Sequence, residues 1–568
     1  MQFAGLSLPA SVKSERGVDS STIPLVALAG SNDPELSSPA PLDALLTTEQ
    51  VRDVVWLALD RDTSPRSLKS TVGKDSWVIV KPNLVTCPVT MDDFHADGVE
   101  HWWLVTDLRV VRAVVEYLVE RIGPRRVTIA EGPIWYSSGG KLKKEEFVDG
   151  WHCTWKEFGN LSYAGVVDEI SARQSATHVD IVDLNEDDSV YVTDFDPHKT
   201  GIGAFQDVKP GDPDGASGKE WTKRRGIYLP KTIMDSDVVI SVPVLKTHSS
   251  AGVTLCLKNF IGCVHSQTYG DGNSKGKIHQ GSQLGLIRGI ADLACAIQPD
   301  YAVAEGFWAT IQQHHGQNGV RLNHNVVVAG GDVVAAEAVC MLVMGYNPLD
   351  SDLLRMANMK KLGEWRPDRI HIAGPPVRSL RNNYIRAANT YFARGLRKWL
   401  MAGPLKSPLK DVSGISPQPG GRLEGAEWSL LDGDAIIDSG SNVPQPFKLQ
   451  ECLLYGLPGS EGARKGSVYY LALKVSTGRK DLCGQLLVGI KGGDFRCFFN
   501  GREVSYPREI TPYDPTPTPF IKFAEGENLL LLEVTKRGGK NEAVRLAANL
   551  CDFDGDRLMD IELDPKGE

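Results

Sequence analysis

The chain lacks any C-x-x-C pair, and its ten cysteines lie scattered between Cys87 and Cys551. The ligand spacing of a zinc ribbon or a ferredoxin-type iron–sulfur cluster is therefore missing, and an iron–sulfur cofactor is not expected. Such scatter fits buried, reduced thiols better than a disulfide framework. No stretch reaches the roughly 18 consecutive apolar residues of a membrane span, so no membrane partner is expected. The first 21 residues have neither the charged start nor the apolar centre of a secretory signal, which makes a cytoplasmic protein the expectation. An excess of positive charge is absent too: the net charge of −9 leaves no broad basic face and makes nucleic acid a poor partner.

What is present is ordinary for a globular protein, with 42% apolar and 23% charged residues in 568. One hydrophobic core does not organise a chain of that length, so at least two domains are expected. After an N-terminal extension (residues 1–21), residues 22–375 alternate short apolar runs with longer amphipathic segments. Candidate strands begin at Ile23, Trp77, Val127, Val179, Val238, Tyr301, Val326 and Ile370, and most are continuously apolar. This is the pattern of an α/β domain whose mostly parallel sheet is covered by helices on both faces. Helical spacing runs over 48–59, 108–121, 284–297 and 333–344, with Asp107 and Asp332 at N-cap positions. Residues 376–421 are basic and broken by Pro and Gly, and read as a linker. From 422 to 568 the period changes to two, and Asn500-Gly501 marks a tight hairpin, which predicts an all-β sandwich.

A parallel sheet presents ligands to the carboxyl ends of its strands. The residues following the apolar runs are Lys81 with Asn83, Glu131, Asp183, Lys246 with His248, Glu305, and Asp332. Charges delivered by so many strands to one sheet edge point to a shared polar site. The run from Lys246 to Gly262 is the densest. Lys246 and His248, two apart on extended chain, point the same way. A helix over 253–261 would place Thr254 and Lys258 on one face, with Gly252 freeing N–H groups for an anion. Lys81, Lys246 and Lys258 would neutralise a phosphate or carboxylate, Asn83 and Asn259 would orient it, and His248 would carry a proton or bind metal. Glu131, Asp183, Glu305 and Asp332 supply the oxygen ligands that a hard divalent cation would take, although their spacing is long-range. His265 and His279 flank a Gly/Ser/Lys-rich loop of lid-like composition, and His314-His315 reads as exposed.

The segments Val80-Lys-Pro-Asn-Leu, Thr106-Asp-Leu-Arg-Val-Val, Ala130-Glu-Gly-Pro, Asp237 through His248, Val253 through Gly262, His279, and Ala329-Gly-Gly-Asp-Val-Val-Ala with Met344-Gly345 resemble, in order and spacing, the family called domain of unknown function 362. The resemblance implies the α/β domain and draws His279 into the ligand-binding set, but names no reaction. Many members carry a fused ferredoxin-like segment, which this chain lacks. Glu305 and Glu337 stand where the family usually has aspartate. His248, Gly252, Lys258 and Gly262 are also similar to a short run of the lactate racemase family, which would set His248 and Lys258 nearest a nickel cofactor. The C-terminal region resembles galactose-binding-like sandwiches through Asn500-Gly-Arg-Glu-Val, Glu525-Gly-Glu-Asn-Leu-Leu and the Asp552-Phe-Asp-Gly-Asp run, whose Asp552, Asp554 and Asp556 begin like a calcium loop without completing one.

The expectation is an enzyme that binds a small anionic substrate or nucleotide-like cofactor at the strand ends, with His248 and Lys258 catalytic. Lys81, Asn83, Lys246, Thr254, Asn259 and His279 would bind substrate. A non-catalytic ligand-binding protein, whose sandwich contacts a glycan or another protein, and a metal-dependent redox or racemase-like enzyme remain as alternatives.

Overall fold

The computed structural model describes residues 23–84, 105–133, 151, 155, 159–174, 176–193, 226–248, 251–264, 269, 275, 278, 283–311, 320–385, 395–438, 454–504, 516–517, 521–551, 558 and 561–564. His265, His279, His314, His315, Asp552, Asp554 and Asp556 lie outside them. The chain forms two compact units, Met1–Ala388 and Asn389–Glu568.

In the first unit the apolar runs become β1 (Leu25–Gly30), β2 (Trp77–Pro82), β3 (Arg126–Glu131), β4 (His178–Asp183), β5 (Val238–Val242), β6 (Val244–His248), β7 (Gly252–Thr254), β8 (Tyr301–Ile311), β9 (Val326–Gly330) and β10 (His371–Ala373). They pair in the order β10-β1-β9-β8-β5-β2-β3-β4, with β6 extending beside the second half of β8 and β7 folding back on β6. Helices α1 (Thr48–Arg61), α2 (Leu108–Tyr117), α3 (Tyr163–Arg173), α4 (Gln283–Ile297) and α5 (Val333–Val343) accompany the sheet. α1 starts at a capping box in which Thr47 and Gln50 exchange hydrogen bonds. It then buries Val51, Val54, Val55, Ala58 and Leu59 against β1 and α2, the three- and four-residue spacing of one helical face.

The sheet is mostly parallel, but β9 runs against both of its neighbours, β1 and β8. Gly330 therefore sits beside Ala302 at the start of β8, and the residues after β9 leave at the opposite edge of the sheet from those after β2, β3, β4 and β5.

Close to the carboxyl end of this unit, His324 is buried, accepts the Tyr384 hydroxyl at Nδ1 (2.9 Å) and donates from Nε2 to Leu380 O. Burial pulls its pKa down to about 4. The unfolded chain then takes up a proton near pH 6.5 that the folded chain refuses. This contribution to stability is intact above pH 6.5 and is lost as the pH falls toward 4, by up to about 3 kcal/mol. Urea titrations of wild type and His324→Gln between pH 7 and 4 should show the variant losing this part of the acid sensitivity. Equal slopes for the two proteins would contradict it.

The second unit is built from antiparallel strands. β11 (Lys398–Leu405), β12 (Ser429–Asp432), β13 (Val468–Thr477), β15 (Gly493–Phe499), β16 (Arg502–Val504) and β17 (Gly526–Lys536) form one sheet in the order β12-β11-β13-β17-β15-β16. β14 (Cys483–Lys491) and β18 (Arg545–Cys551) form the centre of another. Asn500 and Gly501 turn β15 into β16 with positive φ at both positions, as the Asn-Gly pair predicts. β11 lies inside the stretch read as linker: Trp399, Leu400, Met401 and Ala402 are buried, and the Trp399 indole N–H donates to the Tyr455 hydroxyl at 2.7 Å.

Candidate functional site

The carboxyl ends of β2 and β3 carry a buried ion pair. Lys81 Nζ, fully buried, lies 2.7 Å from Glu131 Oε2 and donates also to Asn259 Oδ1 (3.0 Å) and Pro82 O (3.0 Å). Glu131 accepts the amide N–H of Leu84 at Oε2 and of Gly132 at Oε1. Asn259 returns its amide N–H groups to Lys81 O and Ser241 Oγ. The next contact outward is Lys246 Nζ, 2.9 Å from Asn83 Oδ1, while Asn83 Nδ2 reaches Asn259 Oδ1 at 3.4 Å. Lys81, Asn83, Glu131, Lys246 and Asn259 thus form one connected network from four sequence segments.

Gly262 and Gly132 make this closeness feasible. A Cβ on Gly262 would stand 1.7 Å from Glu131 Oε1, and one on Gly132 would stand 2.5 Å from Gly262 O. Lys275 Nζ, also buried, bonds Gly262 O at 3.0 Å and Gly132 O, locking the two glycine segments together. Burial lowers its pKa to about 8. Lys275 is a site residue that the sequence did not single out, because in the Gly/Ser/Lys loop nothing sets it apart from Lys277.

The run after β6 is a hairpin, not the helix expected over 253–261. β6 turns back into β7 with Gly252 in the left-handed region (φ 79°), and only Lys258–Cys263 forms a short 3₁₀ helix. Gly252 therefore serves the turn and does not open a helix N-terminus. Hairpin pairing sets Thr254 directly opposite Lys246. The Thr254 hydroxyl is buried and has no hydrogen-bond partner among the described residues. His248 is half-buried and its Nδ1 accepts the Ala251 amide N–H at 3.2 Å, so the neutral ring carries its proton on Nε2.

Lys246 and Lys258 lie close enough to repel. Burial, reinforced by the Lys258 charge, holds Lys246 well below the usual lysine pKa. Burial brings Lys258 to about 8. Among the described residues no carboxylate pairs with Lys258.

The acidic set does not assemble. Glu131 is committed to Lys81. Asp183 stands next to it on β4 with a pKa raised to about 6 by burial. Glu305 accepts the amide N–H groups of Asp107 and Phe307, and burial with the nearby Asp107 charge pushes it up to about 8. Asp332 is on the opposite sheet edge because β9 is reversed, and it caps α5 by accepting the Ala335 N–H at 2.9 Å. Among the described residues no three Asp, Glu, His or Cys side chains gather at metal-binding spacing. Glu337, on α5, accepts the Leu257 N–H at 2.7 Å and so fixes the segment that carries Lys258. Burial raises its pKa to about 7.

A family model described as "Domain of unknown function (DUF362)" matches residues 78–342. The α/β unit matches the DUF362 family. The DUF362 match, just under half of the chain, runs from β2 to near the end of α5 and contains every site residue named above from Lys81 to Glu337. β1 and β10, though in the same sheet, fall outside it. Among curated proteins, Thylakoid-associated protein sll1697 of Synechocystis sp. is 29% identical over 148 residues, which cover 24% of this chain and 41% of that protein. Among solved structures, a PA14 sugar-binding domain from an RTX adhesin aligns over 16% of this chain and 50% of its own at 14% identity, with a TM-score of 0.13, too low to carry a fold. No helix among the described residues is long and apolar enough to cross a membrane.

Proposed function

We propose that the DUF362 unit is an enzyme acting on a small anionic substrate held at the carboxyl ends of β2 and β3 and on the β6–β7 hairpin. The observation that carries this reading is the contrast between lysines. Lys81 is answered by Glu131 at 2.7 Å, whereas Lys258 stands beside buried Lys246 with no carboxylate partner among the described residues. A half-buried cation without a counter-charge is costly unless a ligand supplies one. A carboxylate or phosphate seated there would answer Lys258 and give the buried Thr254 hydroxyl an acceptor. Lys258, with a pKa of about 8, is suited to proton transfer near neutral pH, and His248 would present Nε2–H as a donor.

The test is calorimetric titration with inorganic phosphate and with oxalate. One saturable site is expected in the wild type, weakened about ten- to hundredfold by Lys258→Met, the loss of one charge-assisted hydrogen bond. Affinity should be fullest below pH 8 and fall as the pH rises past it, because Lys258 then gives up the proton that attracts the anion. Absence of saturable binding, or binding indifferent to Lys258→Met, would overturn the reading. His248→Gln should keep oxalate binding while lowering turnover in a substrate screen.

A further inference from the structure

We infer that Cys256 and Cys340 form a redox switch for the anion site: a hydroperoxide converts the two thiols to a disulfide, which displaces Lys258 and releases the anion. This regulates the site proposed above and rests on that reading. Both cysteines are free and fully buried. Cys256 lies two residues before Lys258. Cys340 lies on α5 three residues after Glu337, on the same helical face. The Leu257 N–H donates to Glu337 Oε2 at 2.7 Å, which brings this part of the chain onto that face. There the two thiols are hydrogen-bonded to each other.

The pair is coupled to the site through the backbone. Cys256 O accepts the Ser241 hydroxyl at 2.8 Å, and Ser241 Oγ accepts Asn259 Nδ2 at 3.1 Å. Asn259 in turn receives Lys81 Nζ at 3.0 Å. Cys256 thus anchors one end of the segment that presents Lys258 and Asn259. A disulfide bond of about 2.05 Å is much shorter than a contact between two thiols. Forming it draws Cys256 toward α5 and away from Ser241, and Lys258 moves with it. The chemistry balances in two steps. One sulfur attacks the O–O bond of hydrogen peroxide, giving a sulfenic acid and one water. The second thiol then displaces the sulfenic hydroxyl, which leaves with the thiol proton as a second water. Two thiols lose two electrons and two protons, and the peroxide is reduced. Burial keeps the Cys256 thiol protonated and out of reach. Attack therefore follows opening of the segment, which an anion bound at Lys258 opposes.

The experiment uses the reduced wild-type full chain, treated with hydrogen peroxide with and without inorganic phosphate. Remaining thiols are alkylated in denaturant, and the unreduced digest is mapped by mass spectrometry. The expected result is a Cys256–Cys340 crosslinked peptide that forms more slowly in phosphate. Oxidation should weaken oxalate binding about tenfold, roughly the loss of one hydrogen bond to a charged group, and dithiothreitol should restore it. Cys340→Ala should bind oxalate as the wild type does and lose the response to peroxide, while mapping on the wild type stays decisive even if that variant does not fold. Absence of the crosslink, a crosslink indifferent to phosphate, or oxidised protein that binds oxalate as tightly as reduced protein would overturn the inference. If reduced protein binds oxalate and no crosslink forms, the switch alone fails. If the crosslink forms in a protein that does not bind oxalate even when reduced, the anion site fails and the switch has nothing to regulate.

Discussion

Replacing Glu131 by alanine should cost the α/β unit about 3–5 kcal/mol of folding free energy, the range expected when one member of a buried ion pair is removed. Glu131 is 2% exposed and is the only carboxylate within ion-pair distance of Lys81 among the described residues. Alanine leaves the Lys81 ammonium buried with amide oxygens alone, and also strands the amide N–H groups of Leu84 and Gly132. The pair itself need not be the stabilising element, since desolvating both ions offsets much of their attraction. Combining Glu131→Ala with Lys81→Met should therefore recover more than half of the loss. Chemical denaturation of the wild type, both single variants and the double variant measures this. A double variant as unstable as Glu131→Ala would show that the stranded lysine is not the source of the cost.

Gly262→Ala should be as damaging, at about 3 kcal/mol or more, although it adds a single methyl group. That methyl would meet Glu131 Oε1 at 1.7 Å and Lys81 Nζ at 2.5 Å. Neither atom can swing aside, because Oε1 holds the Gly132 amide and Nζ holds Glu131, Asn259 and Pro82. Overpacking then becomes breakage of the ion pair. The two substitutions share one cause and should not add. In the Glu131→Ala background, alanine at 262 should cost less than about 1 kcal/mol, because the carboxylate it collides with is gone. Thermal unfolding of the four proteins in this cycle tests it, and additive losses would refute the shared cause.

Much of the α/β unit was legible in the sequence because a strand buried on both faces leaves a continuous apolar run. Trp77-Val-Ile-Val, Val127-Thr-Ile-Ala and Val238 to Val242 are strands where such runs fall. Direction is not written in such a run. Val326 to Ala329 reads the same upward or downward, so the reversal of β9, which moves Asp332 to the other sheet edge and into a helix cap, became visible only through strand pairing. The site was legible as residue types. Lys81, Asn83, Glu131 and Lys246 stand out in the sequence as strand-end polar groups and Lys258 and Asn259 as part of the polar run behind Lys246, but which lysine keeps a carboxylate depends on the pairing of β2 with β3, a long-range fact. The 253–261 segment misled because Val, Leu and Phe at helical spacing also suit a hairpin followed by a 3₁₀ turn, and Gly252 at positive φ decides for the hairpin. β11 was hidden by the basic and Pro/Gly residues around it, although Trp399 to Ala402 was the apolar run that could have revealed it.

The place of β1 in the sheet governs the order in which this unit can be completed during synthesis. Within the unit β1 is synthesised before every other described strand, yet its backbone partners are the two strands made last: Leu28 faces Val328 and Val26 faces Ile372. Until those residues emerge, β1 has no strand to pair with among the described residues, and α1 has only part of the surface it covers. The nascent unit must carry an unpaired apolar strand through most of its own translation, the circumstance in which contacts distant in sequence slow folding and expose sticky edges. Chains truncated before residue 326 should therefore associate with chaperones or aggregate, even though β2, β3, β4 and β5, the strands around the Lys81–Glu131 pair, are already present in full.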